Sequence, residues 1–443
     1  MEGGRYEQYV YSYPHKLAYG PIEPARSLAE VWAREPKDSL FLYVHVPFCE
    51  QRCGFCNLFT FANPNEELPD RYMAALERQM LRTRAALGAG ATFSQYAVGG
   101  GTPTYLSAAS LARLLDRLSE VMGLDTRAPG SVETSPVTAT EARLRVLRER
   151  GVTRVSMGVQ SFDDEESASV GRRQSARDVH EAVRRIRGLG FPTLNLDLMY
   201  GLPEQSEARF LASLRAALEH RPEELYLYPL YVRRLTVLGR ATTTGADDRR
   251  WDDVRVALYR AGRALLLSEG YAQVSMRMFR RGDAPATTAE ASYQCQRDGM
   301  VGLGPGARSY TDRVHYSTAY AVGPQRVRSI LESYADATQE DFDCIIWGYE
   351  LSDEEKRRRF VLLSLLHESG LDCSAYANRF GADPREHVPE LAELLLANAS
   401  EPLLVRRGDR LVLTSAGLER SDQIGPYLMS AAVRERVARG PSA

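Results

Sequence analysis

Three cysteines on one short stretch constrain this chain more than any other feature. They stand in Tyr43-Val-His-Val-Pro-Phe-Cys49-Glu-Gln-Arg-Cys53-Gly-Phe-Cys56, spaced C-x3-C-x2-C. An apolar run from Leu40 to Val46 leads straight into them and predicts a β-strand. Three thiolates on one tight loop can hold three irons of a cubane cluster, whereas a closed [4Fe–4S] site uses four cysteines. The remaining iron is then open to a reactant, as in open catalytic metal sites. The competing reading is a zinc or redox loop. Zinc sites favour paired C-x2-C units with partners downstream, and here Cys295, Cys344 and Cys373 each stand alone.

At 443 residues the length suits two or three domains, although an α/β barrel alone can take up 200–250 residues. Lys and Arg (56) nearly balance Asp and Glu (58). No block of like charge stands out, so neither a nucleic acid nor an anionic membrane is expected as a partner. The opening Met-Glu-Gly-Gly-Arg-Tyr lacks a secretory apolar run, and no stretch is long and apolar enough to predict a membrane span. Thiols that must stay reduced to hold iron suit the cytoplasm.

Residues 1–38 are rich in Tyr, Pro and charge and read as an extended segment, either a docking arm or a lid that turns His15 or a Tyr towards substrate. From Ser39 strands and helices alternate. Strands are expected at Leu40–Val46, Gln95–Gly99, Ser131–Thr134, Arg154–Gln160, Thr193–Met199, Leu225–Tyr231 and Gln273–Met278. Helices are expected between them, including residues 69–88, Ser107–Met122 with Ser107 as N-cap, Thr140–Arg150, Phe210–His220 and Trp251–Glu269. Such repetition argues for parallel βαβ crossovers and an α/β fold with a partial (β/α)6-type barrel over 39–323. Beyond 324 the pattern turns helical (Gln325–Tyr334, Ser352–Leu366, Cys373–Arg379, Pro389–Ala399). It ends with a hairpin of Leu403–Arg406 and Arg410–Leu413 around Gly408. This predicts a smaller, α-rich, winged-helix-like C-terminal domain over 324–443. It has no basic stripe that would suit DNA.

The polar residues that stand out cluster where strands end. Gly99-Gly100-Gly101-Thr102-Pro103 follows one strand, and glycines let backbone approach a ligand. Glu133, Gln160, Arg172 and Asp197 lie at or past other ends. In α/β barrels the C-terminal ends of the strands carry the site. Asp197 sits inside the apolar Asn195-Leu-Asp-Leu-Met-Tyr-Gly, where a carboxylate needs a partner; a ribose diol or an ammonium group would supply one.

The cysteine spacing after a strand resembles the signature of radical S-adenosylmethionine (SAM) enzymes. The resemblance narrows to the oxygen-independent coproporphyrinogen III oxidase family. It is carried by Tyr43-Val-His-Val-Pro-Phe-Cys, Gly-Gly-Gly-Thr-Pro-Thr104, Val-Ser-Met-Gly-Val-Gln-Ser-Phe162, Asp197-Leu-Met-Tyr-Gly-Leu-Pro, Gly302-Leu-Gly-Pro-Gly-Ala-Arg-Ser-Tyr310, Leu413-Thr-Ser-Ala-Gly and Ser421-Asp-Gln-Ile-Gly. The likeness spans residues 39–430. It implies that Cys49, Cys53 and Cys56 bind a [4Fe–4S] cluster whose open iron chelates SAM. One electron then cleaves SAM to a 5′-deoxyadenosyl radical. It also implies that Tyr43, Gly100 and Glu133 hold that SAM. A second SAM would be bound by Phe55, Gly101, Thr102, Gln160, Arg172 and Asp197. Tyr231 aligns with a further contact that is an alanine in the family, and the opening Tyr-Ser-Tyr-Pro-His-Lys resembles a branch with mostly unassigned reactions. Leu58 stands where such oxidases usually carry a fourth cysteine, and no run of basic residues near the loop suits a tetracarboxylate.

The resemblance leads to an expected function. The chain is expected to use a second SAM as methyl or methylene donor to an sp2 carbon of a specialised small molecule or peptide, giving methylation or cyclopropane formation. Oxidative decarboxylation of coproporphyrinogen III in haem synthesis is the runner-up. A haem chaperone is the non-catalytic alternative, with His45 and His315 as candidate axial ligands against the commoner structural role. A flavodoxin- or ferredoxin-type protein is the expected electron donor.

Overall fold

The structure is a computed structural model that describes residues 4–232, 236–241, 249–284, 297–396 and 400–440. Cys295 lies outside the described residues.

The main sheet has 13 strands. Its centre is a parallel run of β2 (Leu40–Val46), β3 (Phe93–Gly100), β4 (Gly130–Thr134), β5 (Arg154–Gln160), β6 (Thr193–Tyr200) and β7 (Glu224–Pro229), each beside the next. These are the six expected strands, with ends shifted by a few residues. All but Tyr43 of β2 is buried. This fits the near-continuous apolar sequence of a parallel strand covered on both faces. Helices such as Glu67–Leu87, Ala108–Glu120, Glu141–Glu149 and Glu207–Glu219 supply the crossovers. Ser107 caps its helix as expected, its hydroxyl accepting from Ser110 N at 3.0 Å.

The sheet stays open and is extended at both ends. Beyond β7, Tyr271–Gln273 (β8) and Met278–Arg281 (β9) form an antiparallel pair. The expected strand Gln273–Met278 is therefore a turn, closed by Val274 N donating to Met278 O at 2.8 Å. Ser275 and Arg277 serve the turn and its contacts, Ser275 Oγ accepting from Met278 N at 3.1 Å. On the other side, Met300–Leu303 (β10) runs parallel to β2. Antiparallel strands Arg308–Tyr310 (β11), Val314–Ser317 (β12) and Cys344–Glu350 (β13) follow. The last neighbour is Gly20–Ser27 (β1), antiparallel to β13. The N-terminal segment, expected to be simply extended, thus contributes a strand and a short helix, Leu28–Trp32.

The second core lies in the C-terminal part. Helices Asp353–Leu365, Cys373–Phe380, Glu390–Leu396 and Ser421–Tyr427 pack with a three-stranded sheet of Leu371–Asp372, Leu404–Arg407 and Arg410–Leu413. The expected hairpin forms, with Arg407 opposite Arg410 and Gly408 at φ 59°. The expected helix Pro389–Ala399 is described as Glu390–Leu396; residues 397–399 lie outside the described residues. Val10, Tyr13, Ala18 and Tyr19 from the N-terminal arm are buried in this same core, beside Leu362, Tyr376 and Ile424. Tyr13 is fully buried, its hydroxyl donating to Glu355 and accepting from Ser430 N at 3.1 Å.

A deeply buried ion pair is among those that tie this part to the main sheet. Arg277, in the β8–β9 turn, donates through Nη2 to both oxygens of Asp422 at 2.7 and 2.8 Å. The two side chains are 3% and 1% exposed. Removing one partner strands a buried charge, at a cost of about 3–5 kcal/mol, whereas a paired apolar replacement removes both charges. Asp422→Ala is expected to lower the urea midpoint of unfolding clearly, and the double variant Arg277→Met with Asp422→Leu to recover much of the loss.

Candidate active site

β2 ends at Val46 and delivers the chain into the cysteine loop. The loop is held by backbone from several elements. Gly101 N donates to Val46 O at 2.8 Å, Thr102 N to Phe48 O at 2.7 Å, and Gly54 N to Val170 O at 2.7 Å. A Cβ on Gly101 would lie 2.6 Å from Phe48 O, closer than such atoms can approach. Gly100 has φ 116°, and a Cβ there would strike the His45 ring at 2.7 Å. The glycine run is therefore the seat of the cysteine loop, which is why no side chain fits there.

Cys49, Cys53 and Cys56 are free thiols, each partly accessible, and all three line one cavity of about 880 Å³. Thr102 Oγ1 lies 3.7 Å from Cys49 Sγ, Arg172 Nη1 donates to Cys53 Sγ at 3.6 Å, and Cys56 Sγ lies 3.6 Å from Thr60 Oγ1. Burial pushes the Cys49 thiol up to about 12, with Cys56 and Cys53 adding to the rise against the Thr102 hydrogen bond. Cys53 is raised too, chiefly by burial. Such thiols need a bound cationic centre to become thiolates. Among the described residues no three His, Cys, Asp or Glu side chains converge on a single ion position. A cubane asks for something different: three separate irons, each with its own thiolate. The donor set, thiols only on one loop, fits that group. Cys344 is exposed and Cys373 is buried at the start of a C-terminal helix.

Tyr43, Phe55, Gly100, Gly101, Thr102, Glu133, Gln160, Arg172 and Asp197 line the same cavity. Tyr43 hydroxyl lies 3.3 Å from His45 Nδ1. Phe55 packs beside Val170 and Met199. Glu133 Oε2 accepts from Gly100 N at 3.0 Å. Its carboxyl opens to the cavity but has protein on its other sides. That burial raises it to about 7, aided by the charge of Asp197 and opposed by the Gly100 hydrogen bond. Asp197 is raised to about 6 by burial, against the hydrogen bond from Asn195 Nδ2 to its Oδ1 at 2.8 Å. Gln160 ends β5 at a register shift with φ 69°. A non-glycine residue in that conformation carries strain that the surroundings must hold. Arg172 also donates to Gln174 Oε1 at 2.6 Å and to Gly158 O.

Beyond His15 and the arm tyrosines, which the lid expectation names, several lining residues escaped sequence reasoning. Tyr9, Tyr11 and Lys16 reach the cavity from the N-terminal arm, with His15 beside them. His15 Nδ1 accepts from Leu17 N at 3.3 Å, capping a short turn. Arg308 comes from β11 and Tyr320 from the segment after β12. The expected lack of a basic run near the loop does not leave the cavity without cations. Lys16, Arg172, Arg173 and Arg308 all line the cavity, gathered from distant stretches rather than from one run. Tyr231 also lines it, its hydroxyl donating to Asp422 and accepting from Arg277. Leu58, at the place of the fourth cysteine, is 44% exposed at the same cavity.

The two candidate haem ligands have structural partners or no access. His45 Nε2 pairs with Phe59 O at 2.8 Å and burial lowers its pKa to about 4. His315 is fully buried beside Tyr310 and is not among the residues lining the cavity. No helix among the described residues is long and apolar enough to cross a membrane.

Residues 43–217 match the radical SAM superfamily and residues 351–419 match the HemN C-terminal domain. The oxygen-independent coproporphyrinogen III oxidase of Escherichia coli (strain K12) is 29% identical over 403 residues, covering 89% of this chain and 86% of that protein. The oxidase of Cereibacter sphaeroides is 30% identical, over 78% of this chain and 77% of that protein. The heme chaperone HemW of Escherichia coli (strain K12) is 30% identical, over 74% and 87%. The solved structure of coproporphyrinogen III oxidase (HemN) from Escherichia coli superposes with a TM-score of 0.79 at 26% identity, covering 94% of this chain and 96% of that one. The chain belongs to the radical SAM superfamily, in the family of oxygen-independent coproporphyrinogen III oxidases and the heme chaperone HemW.

Proposed function

We propose that this protein is a radical SAM oxidoreductase that decarboxylates an anionic small molecule, with coproporphyrinogen III as the substrate. The observation that carries this reading is the meeting, in one cavity, of the three-cysteine loop with Lys16, Arg172, Arg173 and Arg308. The expected methyl or methylene transfer thereby moves to second place, because the relatives that span most of the chain are named as oxidases and heme chaperones.

Membership of the superfamily implies a [4Fe–4S] cluster and SAM. When bound, the two supply one-electron hydrogen abstraction. Cys49, Cys53 and Cys56 would hold the cluster. Glu133 and Asp197 would face the positive and hydroxyl groups of SAM, and Gly100 would let backbone come close to it. The cations would orient substrate carboxylates, and the aromatic walls exclude water. Loss of a hydrogen atom and of CO2 from a propionate arm also releases an electron, which needs an external acceptor. A flavodoxin- or ferredoxin-type donor would reduce the cluster.

A second reading keeps methyl or methylene transfer from a second SAM. It is favoured by Phe55, Gly101, Thr102, Gln160, Arg172 and Asp197 facing the cavity together, and by Leu58 in place of a cysteine. A volume of about 880 Å³ lies near the top of the range for one small-molecule pocket, roughly 300–1,000 Å³. Anaerobic turnover separates the readings. With coproporphyrinogen III, SAM, reductant and an electron acceptor, the lead reading expects CO2 and the divinyl product. No decarboxylation, with S-adenosylhomocysteine formed beside 5′-deoxyadenosine on another acceptor, would replace it by the second.

Two further outcomes are expected. Cys49→Ala, Cys53→Ala and Cys56→Ala should each lower iron and sulfide content after reconstitution and abolish 5′-deoxyadenosine formation, read by chemical analysis and chromatography. SAM affinity should depend on Glu133. Its raised pKa keeps it protonated below about 7, while a cationic ligand favours the carboxylate. Binding must then expel a proton at lower pH, so affinity should fall by up to about tenfold per pH unit below the pKa. Titration calorimetry at several pH values should show this slope in the parent and lose it in Glu133→Gln.

A further inference from the structure

The cavity's cations are unevenly provided for. Arg172 has acceptors in Cys53, Gln174 and Gly158. Lys16 and Arg308 are different. They come from opposite parts of the chain, one in the turn that His15 caps and the other on β11. Both side chains are partly buried, both line the cavity, and each is within electrostatic range of the other.

Their partners among the described residues are neutral. Lys16 Nζ donates to Asn57 O at 3.4 Å and sits 4.1 Å from the centre of the Tyr320 ring. Arg308 Nη1 donates to Tyr11 hydroxyl at 2.8 Å, and its guanidinium lies 4.9 Å from the centre of that ring. Arg308 Nε is buried and has no hydrogen-bond partner among the described residues. Neither side chain takes part in an ion pair with a described carboxylate, whereas the buried Arg277 and Arg255 both do. Two neighbouring, partly buried cations without a counter-charge repel each other, and a ligand that supplies the anion relieves this.

We propose that Lys16 and Arg308, framed by Tyr11 and Tyr320, form a subsite that binds a ligand carboxylate. An arginine fork and a lysine point charge together suit a planar two-oxygen anion. The aromatic frame suits a carboxylate carried on a flat apolar body. This deepens the reading of a carboxylate-bearing substrate and rests on it. The carboxylate has two sources, the substrate or the methionine part of a SAM molecule, and the chemistry at the subsite is the same for both.

The test uses anaerobically reconstituted holoenzyme and 19F NMR titration with 4-fluorobenzoate, with uncharged 4-fluorobenzamide as control. The parent should prefer the acid. Lys16→Met and Arg308→Met should each weaken the acid about tenfold or more, the scale of a charge-assisted hydrogen bond, and leave the amide unchanged. Lys16→Arg should keep the preference. The ligand-free thermal midpoint should hold or rise in both Met variants, since each removes one of two neighbouring charges that lack a counter-ion.

Equal binding of acid and amide by the parent, or acid binding unaltered in both Met variants, would overturn the subsite. A lowered midpoint in the Met variants with acid binding retained in the surviving folded fraction would make the cations structural and also overturn it. SAM titration assigns the source. Loss of a SAM equivalent in the variants, with fluorobenzoate displaced by SAM in the parent, identifies the SAM carboxylate; an unchanged SAM count identifies the substrate's. Failure of coproporphyrinogen turnover with acid preference intact removes the decarboxylase reading and leaves the subsite. The converse pattern does the opposite.

Discussion

Everything in the site depends on how closely the Gly99–Thr102 backbone lies under the cysteine loop. Two short amide hydrogen bonds fix the glycine run, through Gly101 to Val46 at the end of β2 and through Thr102 to Phe48 at the start of the loop. The approach is closer than any side chain at position 101 permits. Because β2 and β3 are paired along their full length, this contact inherits the stiffness of the sheet. Pre-set loop geometry suits a cluster, because less of its binding energy is then spent on ordering the ligands. The same glycine run continues into the Gly100–Glu133 hydrogen bond. Loop, glycines and acid thus form one connected unit across β2, β3 and β4.

A second unit closes over the first. Arg277 holds Asp422 and contacts Tyr231, and its guanidinium lies 3.7 Å from the centre of the Tyr9 ring. Tyr9 and Tyr231 both line the cavity. The cavity wall is therefore anchored to the C-terminal helix that carries Asp422 and to the N-terminal arm. Tyr231, expected to align with an alanine of the family, reaches Asp422 through its hydroxyl, a tether that an alanine cannot make.

The cysteine loop, the six parallel strands and the polar residues at their ends could be read from the sequence because each is local. A strand pattern, a spacing and a glycine run all act within a few residues of themselves. What escaped was non-local. Met300–Leu303 is only four residues long and belongs beside β2 through a pairing that no neighbouring sequence announces. Gly20–Ser27, with two prolines and exposed alternation, reads as irregular, yet it pairs with β13 at the sheet edge, where proline is tolerated. Lys16 and Arg308 are far apart in sequence, so a search for a basic run could not find the charge they create together. Gln273–Met278 failed for the opposite reason: its local apolar pattern was real, but the β8–β9 turn needed those residues.

The two ends of the chain meet in one core. Tyr13 and Val10 pack against Ile424 and Leu428, and β1 waits for β13 before it has a neighbour in the sheet. The cysteine loop and its glycine seat come early in the chain, and Val170, which holds Gly54, follows them. The arm that lines the cavity packs into a core completed only by the last helices. Contacts of such long sequence separation form late. The wall that carries Tyr9, Tyr11 and Lys16 is therefore the last part of the site to be completed.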